Sequence, residues 1–374
     1  MNIGIDAKTF SKRKTGIAIY LQDILKYFSE HDKENKYFLY SNKEIHLDFE
    51  LGPNFKVCYY KAKIASLGIY FKLRKRLIKD KIDVFWGPEH ILPKKSKFYR
   101  MIVTIHDLAF LKFKGICTYN NIIIQKMFAR KSCKNADRVI AISNATKNDI
   151  MRFFKIRNEK ISVIYNGIST YQYFTLNESN NYRIHEVKRK YEISNNYFLF
   201  VSTIEPRKNI INIVKGFEIY KKETNSSDKL VLMGGMGWKT GPIMSTIKNS
   251  QYNKDIILTG YVSNEEKESL YRNAKALIFP SLYEGFGIPI LEAYSVGIPV
   301  ITSNISAMPE VGGEWAYYVD NPKDFNEIGE KMILVSYLLN QNRIDINKLI
   351  EQSKKFSKDK CSLETFKAIT RLSQ

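Results

Sequence analysis

Short, unbroken apolar runs rich in β-branched and aromatic residues recur along the chain, with helix-forming stretches between them. Strict alternation of apolar and polar residues would mark a sheet with one wet face. An unbroken run marks a strand buried on both faces, which requires helices on both sides of a parallel sheet. In the first half such runs predict strands at Ile3–Asp6, Tyr37–Tyr40, Lys56–Tyr59, Asp83–Trp86, Met101–Ile105, Val139–Ile142 and Ile161–Tyr165. In the second half they predict Tyr197–Ser202, Leu230–Met233, Ile256–Leu258, Ala276–Phe279, Pro299–Thr302 and Tyr317–Val319. After Gly16, residues Ile17, Tyr20, Leu21, Ile24, Leu25 and Phe28 keep helical spacing. Ser263 and Glu266 have the spacing of a capping box. Two successive βαβ series predict an α/β protein of two doubly wound parallel-sheet domains. The 374 residues suit two domains of roughly 150 residues each. The expected bounds are 1–180 and 181–355, with a polar linker over about 170–196 and a C-terminal helix over 356–374 packing back toward the first domain.

Apolar runs of about 5–8 residues fall short of the ~18 needed to span a bilayer, so no transmembrane helix is expected. The opening MNIGIDAKTF lacks the apolar core of a signal peptide. Cys58, Cys117, Cys133 and Cys361 are far apart, which argues against zinc and a disulfide framework and suits a reducing cytosol. The net charge of +21 is uneven: residues 1–180 hold 33 basic and 16 acidic side chains, residues 181–374 hold 26 and 22. A cationic first half seeks polyanions: nucleic acid, an anionic membrane face or a phosphorylated substrate. Codon bias alone, in a chain rich in Lys, Ile, Asn and Tyr, is the other account of the charge. A basic nucleic-acid-binding protein is one alternative, but no recognition-helix, RNP or zinc-finger signature is visible.

In doubly wound domains ligands sit outside the carboxyl ends of strands, and with two such domains the site is expected in the cleft between them. The loop after Val201 reads Thr203-Ile-Glu-Pro-Arg-Lys-Asn209, with a helix expected from about Asn209. Arg207 and Lys208 then stand at a helix N-terminus, where the macrodipole disfavours cations. Together with that dipole they would hold a diphosphate, unless they are solvated surface charges. The loop after Phe279 reads Pro280-Ser-Leu-Tyr-Glu284-Gly285-Phe286-Gly287-Ile288-Pro289-Ile-Leu-Glu292. Pro289 suits the first helical position, and Gly285 and Gly287 let backbone N–H groups approach an anion. Glu284 and Glu292 are candidate acceptors for sugar hydroxyls; the plainer readings are a turn residue and a dipole-stabilising acid.

The E-G-F-G-x-P-x-L-E-A run resembles the E-x7-E signature of glycosyltransferase family 4, the retaining enzymes of GT-B fold. Ser202–Asn209 is similar to that family's donor-phosphate loop, and Thr259-Gly-Tyr261-Val262-Ser-Asn-Glu-Glu266 to its L-G-Y-V-x-x-E-E segment. Asn166-Gly167 resembles its N-G-V-D turn, with Ser169 in place of Asp. Asn2–Ala7 and Thr15-Gly16-Ile17 resemble the opening of mannosyl- and rhamnosyltransferase-like members, and Ile105–Leu108 and Ala136–Val139 match as well. The usual T-G-I-G-R-Y is here Thr15-Gly-Ile-Ala18-Ile19-Tyr20, so that arginine's contact is absent or supplied by Lys12, Arg13 or Lys14.

The resemblance implies two domains facing across a cleft and a nucleotide-diphospho-sugar donor (GDP-, dTDP- or UDP-linked) in the second. Transfer is implied to proceed with retention and without a metal or other cofactor. The hexose, mannose or rhamnose, goes to a glycan or polyprenyl-pyrophosphate-linked glycan in O-antigen or capsule synthesis. A GT-B sugar-nucleotide epimerase or phosphorylase is the alternative enzyme. Carried over by position, Arg207, Lys208, Glu284 and His106 are catalytic. Gly16, Glu284, Gly285, Phe286, Gly287, Ile288, Glu292, Tyr261 and Val262 bind donor. His106, just after a strand, is read alternatively as a satisfied histidine beside Asp107. Ser143 and Asn144 lie on the acceptor side or cap the next helix. Arg207→Ala or Lys208→Ala is expected to cut turnover by several orders with little effect on folding. Two basic-apolar stretches, Lys61–Lys81 and Lys112–Lys126, are expected to hold the enzyme on the anionic inner face of the cytoplasmic membrane, unless their apolar faces pack on the sheet. No nucleic-acid partner is expected, and the oligomeric state is left open.

Overall fold

The computed structural model describes residues 1–11, 15–61, 72–113, 119–169 and 179–372. The chain divides into two compact units, Met1–Gly167 with Lys358–Gln374, and Ile168–Ser357.

Among the described residues the first unit holds seven strands: β1 (Asn2–Asp6), β2 (Lys36–Ser41), β3 (Phe55–Tyr59), β4 (Val84–Gly87), β5 (Arg100–Ile105), β6 (Arg138–Ala141) and β7 (Ile161–Val163). They form one sheet in the order β3-β2-β1-β4-β5-β6-β7, and every pairing is parallel. Its helices are α1 (Gly16–His31), α2 (Arg74–Lys79), α3 (Ala109–Lys112), α4 (Tyr119–Asn135) and α5 (Asn144–Phe154). The apolar stripe of α1, with Leu21, Ile24, Leu25 and Phe28, covers one sheet face with Ile3, Ile5 and Trp86. Leu77, Met101, Val103, Ile150 and Phe154 fill the other. Thr15 caps α1 by accepting from Ala18 N–H at 3.3 Å. Ala18 is buried and Ile19 exposed; Lys12, Arg13 and Lys14 lie outside the described residues.

The second unit holds β8 (Tyr197–Val201), β9 (Lys229–Met233), β10 (Ile256–Gly260), β11 (Ala276–Phe279), β12 (Val300–Ser303) and β13 (Tyr317–Val319). They form a parallel sheet in the order β10-β9-β8-β11-β12-β13. Its helices are α6 (Ser179–Lys190), α7 (Ile210–Thr224), α8 (Gly241–Asn249), α9 (Asn264–Arg272), α10 (Ile288–Ser295), α11 (Met308–Gly312), α12 (Phe325–Asn340) and α13 (Ile346–Lys354). The final helix, α14 (Lys358–Thr370), belongs to the first unit, where Phe366 meets Phe28 edge-to-face at 5.6 Å.

The predicted runs thus coincide with all thirteen strands among the described residues. The predicted capping box at Ser263 and Glu266 opens α9. The polar stretch read as linker is corrected in part: it contains α6, whose Ile184 and Val187 are buried. Two apolar residues three apart suffice for a one-sided helix, and the surrounding Asn and Lys hid them. Both basic-apolar stretches fall partly outside the described residues, at 62–71 and 114–118. In the described part of the first, Leu73 and Leu77 are buried in the core, and Arg76 pairs with Asp80 at 2.7 Å. Cys58, Cys133 and Cys361 are free and buried, and Cys117 lies outside the described residues. Among the described residues no helix is long and apolar enough to cross a membrane.

Candidate functional site

In the second unit, the loop after β8 is tied to the next strand end by Ser202 N–H to Met233 O (3.0 Å) and Ile204 N–H to Gly235 O (2.9 Å). Pro206–Lys208 then forms a single 3-10 turn, and Asn209 takes a left-handed conformation (φ 66°) before α7 begins at Ile210. Arg207 and Lys208 thus stand just ahead of the α7 N-terminus, as expected, in a turn of their own. Asn209 fixes that turn by donating through Nδ2 to Pro280 O (3.0 Å) and Pro322 O (2.5 Å). Two neighbouring loops are thereby bound to it.

Arg207 and Lys208 are not solvated. They converge on Glu284, from the loop after β11. Lys208 Nζ donates to Glu284 Oε1 at 2.6 Å, and Arg207 Nη1 to Glu284 Oε2 at 3.0 Å and to Tyr283 O at 2.8 Å. The side chains of Arg207, Lys208 and Glu284 are only 14%, 8% and 11% exposed. Burial by itself would raise the Glu284 carboxyl, but the charges of Lys208 and Arg207 overcome it and hold the group below its ordinary range. Burial lowers the Lys208 ammonium. That shift opposes the ion pair, yet a 2.6 Å contact to a carboxylate facing two cations decides for the ionised form.

Two further residues that sequence reasoning gave no role complete the network. Glu205 Oε1 accepts from Arg207 Nε at 3.0 Å and lies 2.8 Å from Nη2. Trp238 Nε1–H donates to Glu205 Oε2 at 3.0 Å. Glu205, two residues before Arg207 in a loop already singled out, was the one available signal.

Gly287 takes φ 130°, a conformation that favours glycine, immediately before α10, and Pro289 is the second helical residue. Phe286 is buried and meets Phe356 edge-to-face at 5.7 Å, so its ring serves the core. Glu292 lies past the first turn of α10, too far along to be explained by the helix dipole alone. It accepts from Lys267 Nζ at 2.5 Å and Tyr271 OH at 2.8 Å, both on α9. Tyr261 is 65% exposed, and its ring sits over Gly235, where an added Cβ would come within 2.2 Å. Val262 beside it and Ile288 are half-buried.

In the first unit, His106 follows β5, and its Nε2 lies 2.8 Å from Pro88 O. A carbonyl can only accept, so Nε2 carries the proton. Burial lowers the ring's pKa, which favours the neutral tautomer. Its ring meets Tyr20 edge-to-face at 4.9 Å. Gly16 opens α1 with free space where a Cβ would stand. Ser143 is the N-cap of α5, accepting from Thr146 N–H at 3.0 Å, and Asn144 Nδ2 donates to Tyr165 OH at 2.6 Å.

Sequence reasoning passed over a second charged group in this unit. Lys8 Nζ lies 3.0 Å from Asp6 Oδ2 and 2.8 Å from Glu89 Oε2. Asp6 ends β1, and Glu89 stands in the loop after β4. That loop folds back tightly: a Cβ on Gly87 would come within 2.8 Å of Leu92, and Leu92 N–H is anchored to Ser132 Oγ at 2.8 Å.

Comparison with known proteins agrees with this architecture. Residues 15–172 match the family described as Glycosyltransferase Family 4, and residues 183–356 that described as Glycosyl transferases group 1. The chain is 28% identical over 286 residues to the O-antigen chain mannosyltransferase B of Escherichia coli, covering 76% of this chain and 73% of that one. It is 30% identical over 251 residues to the O-antigen chain mannosyltransferase RfbU of Salmonella typhimurium, covering 64% and 65%. Of the longer serotype-specific mannosyltransferase WbdA of Escherichia coli it spans 30%. Among solved structures, WaaG, a glycosyltransferase involved in lipopolysaccharide biosynthesis, superposes with a TM-score of 0.75 at 12% identity, covering 99% of this chain and 100% of that one. Anabaena HepE, solved with UDP and glucose, superposes with a TM-score of 0.72 at 16% identity, covering 99% of each. At such identities the likeness speaks for the fold alone. With one family model on each parallel α/β unit and the E-x7-E run in the second, the protein belongs to glycosyltransferase family 4 and has the GT-B fold.

Proposed function

We propose that the protein transfers a hexose, mannose or rhamnose, from a nucleotide-diphospho-sugar to a glycan or lipid-linked glycan of a bacterial surface polysaccharide, with retention at the anomeric carbon. The observation that carries this is the buried pair of cations clamped on Glu284 at the carboxyl edge of the second sheet. Fixed cations in a water-poor site stabilise charge that develops on a departing diphosphate, and they do so without reorganising. Arg207 and Lys208 therefore take the leaving group, with no metal required. Glu284 sets their position and meets hydroxyls of the transferred sugar. Glu292 meets the ribose, and His106 the donor sugar or its phosphate. The names of the relatives, O-antigen chain mannosyltransferases, support the choice of sugar and pathway. HepE was solved with UDP, which supports a nucleoside diphosphate as the leaving group.

Product stereochemistry by NMR tests the mechanism: an inverted anomeric centre would sink it, as would activity lost in EDTA and restored by manganese. Melting curves with GDP, dTDP and UDP identify the base. A ligand at 100 times its dissociation constant stabilises by about 2.7 kcal/mol, so a shift is readily seen. If none of the three moves the curve, the donor reading fails. The excess charge of residues 1–180 supports attachment to an anionic membrane face on the cytoplasmic side. Co-sedimentation with anionic but not neutral vesicles, weakening with salt, is the expected result.

A further inference from the structure

Several residues other than glycine take a positive φ where a helix ends, among them Lys155 after α5 and Asn225 after α7. A left-handed residue is an ordinary way to stop a helix. Ser306 is different. It takes φ 60° in the loop between β12 and α11, with no helix to terminate. Serine has no preference for that conformation, so the backbone is strained there. Such strain persists where the surrounding structure over-determines it, and it collects at functional sites.

What surrounds Ser306 is Glu284. Ser306 Oγ donates to Glu284 O at 2.5 Å and accepts from Glu284 N–H at 3.3 Å. One hydroxyl closes on both main-chain groups of the residue whose carboxylate faces Arg207 and Lys208. It is also the last of a series. Where the chain leaves β11 its buried carbonyls lose their strand partners and need others. Thr302 Oγ1 donates to Phe279 O at 2.8 Å, Ser303 Oγ to Ser281 O at 2.5 Å, and Ser306 Oγ to Glu284 O. From the other side Asn209 Nδ2 takes Pro280 O and Arg207 Nη1 takes Tyr283 O. Thr302 and Ser303 belong to β12 and are fully buried. Ser306 lies past the end of that strand, and there the chain meets Glu284 with its backbone turned left-handed.

We propose that Ser306 is a positioning residue for Glu284, a strained turn whose hydroxyl fixes where this carboxylate stands against Arg207, Lys208 and the transferred sugar. The proposal rests on the reading of Glu284 as the acid that meets the sugar, and adds what sets its position. Glycine would take φ 60° without strain but has no hydroxyl, and alanine would keep the strain for nothing. The serine is explained by the bond it makes. A misplacement of about 1 Å at a reacting centre can cost about 10²-fold in rate, which gives so small a contact a large effect.

The test separates hydroxyl from backbone with three variants of the full chain. Ser306→Gly removes the hydroxyl and the strain. Ser306→Ala removes the hydroxyl and keeps the strain. Ser306→Thr keeps the hydroxyl on a β-branched side chain that fits a positive φ poorly. Turnover is read as nucleoside diphosphate released from GDP-mannose, dTDP-rhamnose or UDP-glucose. The glycine and alanine variants lose tenfold or more in kcat, with the donor KM changed less than threefold, and the threonine variant stays within threefold of wild type. Denaturation midpoints follow another order, with glycine above alanine. Backbone hydrogen exchange over residues 280–287 quickens tenfold or more in the glycine and alanine variants and not in the threonine variant. The inference is overturned if the glycine variant turns over or exchanges as the wild type does, or if kcat in the three variants follows their midpoints. Exchange needs no substrate. If the wild type releases nothing from any of the three donors, the donor reading fails and exchange alone decides the role of Ser306.

Discussion

Lys208 stands within 2.6 Å of Glu284, with its side chain 8% exposed, and this changes what its removal should do. Sequence reasoning expects Lys208→Ala to spare the fold. Breaking a buried ion pair from one side leaves a charge without compensation and costs about 3–5 kcal/mol. Arg207 still faces Glu284 at 3.0 Å once Lys208 is gone, so Lys208→Met should cost less stability, measured by chemical denaturation, than that full figure while abolishing turnover, whereas an unchanged stability would mean that water reaches Glu284. The cations were legible in the sequence because two positive charges before a helix contradict the dipole. Their partner was legible as a loop acid. The contact between them was not, because residues 76 and 77 positions apart meet only when β8 and β11 become neighbours. No local pattern encodes strand order. The same holds for Lys8 and Glu89, which lie on the loops of β1 and β4.

Helices α7 and α12 touch backbone to backbone. A Cβ on Gly216 would come within 2.8 Å of Ile328 and 3.0 Å of Phe325 O, and one on Gly329 within 2.9 Å of Gly216 O. Gly216→Ala gains helix propensity but must push the helices apart, and overpacking of this kind costs about 1–3 kcal/mol. The net expectation is a melting temperature lowered by several degrees; an increase would show that the contact is slack. Strands were read well at this scale because parallel strands need both faces apolar, and Phe198–Phe200 or Leu277–Phe279 leave no other reading. Short helices were read less well. In α6 the buried face rests on two residues of the described part, and its Lys-rich last turn reads equally as a linker.

Across the whole molecule, the half-buried His90 sets a pH window. Its pKa falls from 6.5 to about 4, chiefly through burial. Between those values the unfolded chain binds a proton that the folded chain refuses, so stability rises with pH across the window and is lost as pH falls through it. The size is about 3 kcal/mol, and His90→Phe should flatten the denaturation midpoint between pH 4 and 6.5. An equally steep profile in the variant would assign the slope to other groups. The first unit is also discontinuous in sequence, because α14, which covers α1 with Cys361, Phe366 and Ile369, follows the whole of the second unit. Ribosomes add about 5–20 residues per second. The apolar stripe of α1 therefore waits tens of seconds for its cover, while the second unit, continuous from Ile168 to Ser357, can close first. A nascent chain stalled before α14 should expose the face around Phe28 to protease and chaperone, and aggregation during overexpression should begin there.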